Sequence, residues 1–94
     1  MSRFQQDRAE AIQRIARAYG VVRLRVFGSF ARGEATEGSD LDFLVELEPG
    51  RSLLDLVGLK QELEALLGRE VDVVEEGGLH PYLRDQILQE ALPL

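Results

Sequence analysis

The stretch that decides the fold runs from Val26 to Glu46, VFGSFARGEATEGSDLDFLVE. It closes one apolar segment, breaks at Gly28-Ser29, passes ten residues, and resumes as Asp40-Leu41-Asp42 inside a second apolar segment. A glycine after a strand lets the backbone approach a ligand closely, and exposed N–H groups at the start of the next turn favour an anion. The Ser29 hydroxyl adds one donor. Gly-Ser after a strand is equally the material of an ordinary tight turn, so the pair gains meaning only from the aspartates.

Asp40 and Asp42, two residues apart on a strand, share a face with Cα atoms roughly 6.6–6.8 Å apart. Carboxylates that near repel, and aspartate is disfavoured in strands. Leu41, Phe43, Leu44 and Val45 mark the strand as central, where unpaired charge is costly. A divalent cation with oxygen ligands compensates it, and magnesium commonly binds one or two carboxylates together with substrate phosphates. The plainer reading is a solvated strand end. Asp72, set among Val71, Val73 and Val74, joins the pair if its strand is a neighbour. Three carboxylates suit two metal ions about 3.5–4 Å apart, the arrangement for phosphoryl and nucleotidyl displacement. A general base is the other role open to Asp72. Arg32, one turn past Ser29, is a candidate phosphate contact, although arginine on a short helix usually faces solvent.

Upstream, Phe4, Ile12, Ile15, Ala16 and Tyr19 recur at three and four. That spacing predicts a helix from Ser2 to Tyr19 with a Ser2/Gln5 capping box, Gly20 as its stop, and Arg8, Arg14 and Arg17 on the wet side. Val22–Phe27 alternates apolar residues with Arg23 and Arg25, the period of a strand with one wet face. Ser29–Arg32 reads as a short helix and 33–39 as a loop. Asp40–Leu47 is the second strand, with Leu41, Phe43 and Val45 on one face and Asp40, Asp42, Leu44 and Glu46 on the other.

Beyond the Pro49-Gly50 turn, Ser52 and Asp55 cap a long helix that Gly68 ends. Its buried stripe is read as Leu53, Leu56, Val57, Leu63, Leu66 and Leu67. Glu70–Glu75 is the third strand and Gly77-Gly78 a flexible break. His80-Pro81 opens a last helix, with Leu83, Ile87, Leu88 and Ala91 apolar and His80 as cap or surface residue. Tyr19 and Tyr82 read as packing residues, and Glu34, Glu37, Glu75 and Glu76 as loop charge. The order α-β-α-β-α-β-α predicts an α/β (α+β) domain over residues 1–94 with a three-stranded mixed sheet.

Ninety-four residues allow one core. Seventeen acidic against eleven basic residues give a net charge of −6, which argues against a large nucleic-acid partner but not against a nucleotide. Cysteine is absent, which excludes disulfides and thiolate metal sites. There is neither a run of ~18 apolar residues nor an apolar signal core in MSRFQQDRAE, so no membrane association and a cytoplasmic location are expected.

Gly28-Ser29, the ten-residue gap, Asp40-x-Asp42 in an apolar strand and Asp72 in a later one resemble the DNA polymerase beta-like nucleotidyltransferase superfamily. The short length is similar to its minimal (MNT) members, little more than the palm. The resemblance implies that Gly28 and Ser29 hold nucleotide phosphates and that Asp40 and Asp42 hold Mg²⁺. Asp72 would complete the metal site, for two ions, and help activate the acceptor. It further implies ATP as substrate and a HEPN-domain toxin as partner, with the protein as antitoxin, transferring AMP onto that partner. Two other readings stay open: a binding-only antitoxin acting through apolar surface, and a small-molecule nucleotidyltransferase of the aminoglycoside type. The latter would act as a homo-oligomer with an acceptor pocket between subunits.

Overall fold

In a computed structural model, residues 3–94 are described, the first five of these (3–7) by backbone alone. The expected Ser2/Gln5 cap and the Phe4 contact lie outside the described residues. Helical spacing becomes α1 (Arg3–Ala18), with Ile12 and Ala16 buried and Arg8, Arg14 and Arg17 exposed. Then come β1 (Val21–Phe27), α2 (Ser29–Arg32), β2 (Leu41–Leu47), α3 (Leu53–Leu67) and β3 (Val71–Glu75). A 3₁₀ turn (Glu76–Gly78), α4 (Pro81–Glu90) and β4 (Leu92–Pro93) follow. Among the described residues no helix is long and apolar enough to cross a membrane.

The sheet is mixed, in the order β3-β2-β1-β4. β1 pairs antiparallel with both β2 and β4, while β2 and β3 pair parallel across the α3 crossover. A fourth strand corrects the expected three. β4 is two residues long and half proline, too short to show a period of two. The Gly77-Gly78 segment is a 3₁₀ turn rather than a loose break, closed by Leu79 N–H donating to the Glu76 carbonyl at 3.3 Å.

Alternation in β2 separates two faces. Phe43 and Val45 enter the core with Ile12 and Ala16 of α1, Leu59 and Leu63 of α3, and Val21 and Val71. Leu44 points the other way and is also buried, flanked in register by Arg25 and Val74. The stripe of α3 differs from expectation. Leu59 and Leu63 are fully buried, with Leu56 and Leu67 packed beside them, while Leu53 (73% exposed), Val57 and Leu66 face outward. The helix has leucine on several faces, so residue type alone cannot pick the inner one. Its cap is as read: Leu54 N–H donates to Ser52 Oγ at 3.3 Å and Ser52 N–H to Asp55 Oδ2 at 2.9 Å. Leu83 of α4 is likewise exposed rather than packed.

Arg25 is not on a wet face. Its Nη2 donates to Glu76 Oε2 at 2.8 Å, with only 11% and 20% of the two side chains exposed, so Glu76 is more than loop charge. The Arg25 Nε is buried with no hydrogen-bond partner among the described residues. His80 caps α4: its Nδ1 accepts from Tyr82 N–H at 3.2 Å, and its ring stacks on Tyr82. Tyr82 is 89% exposed, so it is not the core packing residue expected.

Candidate active site

Parallel register sets Asp42 of β2 directly beside Asp72 of β3. On the other side of β2, Asp42 is paired with Phe27, the last residue of β1. The chain turns at the next residue, so Gly28 lies over the aspartate. Its backbone is at φ 75° and ψ −151°, a conformation almost confined to glycine, and a β-carbon there would run into Asp42 Oδ2. The glycine is required twice, by torsion and by closeness.

The carboxylates are held in mutual conflict. Burial pushes the Asp42 carboxyl above its ordinary range, helped by the Asp72 charge, a side-chain hydrogen bond with Asp72, and Asp40, with Arg32 pulling the other way. Asp40 lies just before β2 and is exposed, as is Asp72. Among the described residues no group of three or more His, Cys, Asp or Glu is drawn together tightly enough to hold a metal ion. The chemistry of the donors nonetheless fits magnesium. They are all oxygens, and a divalent cation would offset the charge of two carboxylates set side by side.

Beside Gly28, α2 carries the expected cation. Arg32 Nε donates to Glu34 Oε2 at 3.2 Å, and Nη1 donates to both carboxylate oxygens of Glu90, at 3.3 and 3.1 Å. Gly28 N–H donates to Glu90 Oε1 at 3.0 Å. Ser29 is half-buried at the first position of α2. The loop to β2 is fastened by Thr36 N–H donating to Ser39 Oγ at 2.8 Å. Its end is held by Arg69 Nη1 donating to the Ser39 carbonyl at 3.4 Å. Thus Gly28, Arg32, Asp42 and Asp72 meet at one end of the sheet, with Asp40 at its margin. Glu90, sixty-two positions from its Gly28 partner, was not legible in the sequence, where it is one acid among seventeen.

A glycine turn over register-paired carboxylates, on this small mixed sheet, defines a nucleotidyltransferase of the minimal kind. The chain belongs to the nucleotidyltransferase domain family, whose profile matches residues 8–94. A protein of Methanocaldococcus jannaschii, provisionally named a protein adenylyltransferase, is 57% identical over 74 residues, 79% of this chain and 80% of its own. Protein adenylyltransferase MntA of Thermococcus cleftensis is 45% identical over 74 residues, 79% of this chain and 75% of its own. A solved structure described as a minimal nucleotidyltransferase superposes with a TM-score of 0.86 at 56% identity, over 97% of this chain and 93% of that one. A chain from the complex of tri-AMPylated Shewanella oneidensis HEPN toxin with MNT antitoxin shares the fold. Its TM-score is 0.73 at 21% identity, over 95% and 70% of the two chains.

Proposed function

We propose that residues 1–94 act as one nucleotidyltransferase domain that moves AMP from ATP to a hydroxyl of a partner protein, a HEPN-domain toxin, and so silences it. The observation that carries this reading is the Asp42–Asp72 pair beneath the Gly28 turn, joined by the relatives' names as protein adenylyltransferases. Gly28 N–H, the Ser29 hydroxyl and the Arg32 guanidinium would bind phosphate oxygens. Asp40, Asp42 and Asp72 would hold Mg²⁺, which when bound supplies charge neutralisation at the reacting phosphate and lowers the pKa of the acceptor hydroxyl. The acceptor oxygen attacks the α-phosphorus, the bond to the β-phosphate bridge breaks, and pyrophosphate leaves. In its alternative role Asp72, an exposed carboxylate, would instead act as general base and take the acceptor proton.

The acceptor would arrive on another protein, and α3 has a surface suited to docking one: Leu53, Leu54 (81% exposed), Val57 and Leu66 are all exposed. Incubation with ATP, magnesium and the cognate HEPN protein should raise the partner's mass by AMP. Absence of that shift, or its persistence in Asp42→Asn, overturns the catalytic reading. The same apolar surface supports a second reading, neutralisation by binding alone. It prevails if the Asp40→Ala/Asp42→Ala double variant still neutralises the toxin.

A further inference from the structure

Glu90 sits where the nucleotide reading puts a phosphate. Its carboxylate accepts from one backbone amide, Gly28 N–H, and from one guanidinium nitrogen, Arg32 Nη1. These are the donors a phosphate oxygen would use, and a carboxylate offers them a similar two-oxygen edge. Helix physics does not explain the position. Glu90 is the last residue of α4, where the dipole disfavours negative charge, and no basic residue stands in that final turn. Electrostatics across the sheet do not explain it either, since Asp40, Asp42 and Asp72 already crowd this end.

Packing holds α4 itself only in part: none of its residues is fully buried, and the firm anchors lie past Glu90, where Leu92 and Pro93 pair with β1 and Leu94 packs on the core with its carbonyl accepting from Gln13 Nε2 at 3.0 Å. What holds the carboxylate is the anion site itself. We infer that Glu90 is an intramolecular occupant of the phosphate site, displaced when nucleotide binds. The inference rests on the nucleotide reading above and adds a control to it. The apparent affinity for nucleotide is lowered by the fraction of molecules in which Glu90 is seated. Whatever draws α4 away, a docked partner included, raises that affinity.

The test is calorimetric titration of the full chain with AMP-PNP and magnesium, in wild type and in Glu90→Gln. The amide keeps the shape and loses the charge, so Glu90→Gln should bind about ten-fold more tightly. Equal or weaker binding by a variant with an unchanged circular dichroism spectrum overturns the inference while leaving the nucleotide reading intact. Failure of both proteins to bind AMP-PNP overturns both. The carboxyl ¹³C resonance of Glu90 in the wild type gives an answer even if the variant does not fold. It should move to the value of a free glutamate at AMP-PNP saturation, and a resonance that stays put under saturating ligand overturns the inference.

Discussion

Asp42 and Asp72 are register partners in a parallel strand pair, which sets two carboxylates abreast at one end of the sheet. Like charges abreast on neighbouring strands destabilise a sheet. Among the described residues the positive charge acting against the rise in the Asp42 pKa is Arg32, itself engaged with Glu34 and Glu90. The sheet is therefore weakened at the end where Gly28 turns over Asp42.

Relieving the pair should stabilise the fold. The folded pKa of Asp42 lies above its unfolded value, so its contribution is fully present below the ordinary carboxylate pKa, about 4, and is lost as pH rises through the raised value. Asp42→Asn removes that loss. Without divalent ions its melting temperature should exceed that of wild type by a few degrees near neutral pH and converge with it in acid. AMP transfer should vanish. A variant less stable than wild type at neutral pH would contradict the assigned conflict.

Gly28→Ala should lose both fold stability and nucleotide binding. The torsion alone costs about 1–3 kcal/mol in a residue with a β-carbon. The methyl group also meets Asp42 Oδ2. In an Asp42→Ala background the contact disappears and the torsion remains, so the second cost should shrink without reaching zero. Urea midpoints of the four proteins in this cycle measure the difference.

Gly58 inverts the usual rule for helices. Alanine for glycine inside a helix normally gains about 1 kcal/mol. Here the new β-carbon would lie 2.5 Å from Tyr19 Cε1 and 3.1 Å from Cζ. Gly58→Ala should therefore cost about 1–2 kcal/mol, as overpacking does, and should become stabilising once Tyr19 is also replaced by alanine. Chemical denaturation of both pairs decides it.

The α3 cap should show its own pH signature. Ser52→Ala removes the hydroxyl that accepts from Leu54 and should cost about 1 kcal/mol. Asp55 lies below its ordinary pKa, chiefly through the Ser52 N–H and then Arg51, with burial opposing. A depressed folded pKa gives stability present above the unfolded value and lost as pH falls through the folded one. Asp55→Ala should thus destabilise near neutral pH and make little difference in strong acid, as thermal melts across pH will show.

Much of this was legible because the informative residues break a local rule. Asp40 and Asp42 stand against an apolar run, Asp72 interrupts three valines, and Gly28 ends a β-branched segment. Such violations stand out in a one-dimensional reading, and the α/β alternation around them follows from spacing. Features that keep every local rule were hidden. Leu59 is one leucine among several in α3, and Arg25 has the look of an outward residue until Glu76 arrives from fifty-one positions away. Glu90 and β4 depend on α4 folding back to β1, which no period in the sequence encodes.

The sheet ends at β4, where Leu92 and Pro93 pair with Val26 and Arg25. Two residues, one without an amide hydrogen, make a poor template for another chain's backbone. Strand-to-strand stacking at that margin is blunted, and with it one common route by which small sheet proteins clump at high concentration. The effect is confined to that margin, since β3 forms the other edge of the sheet.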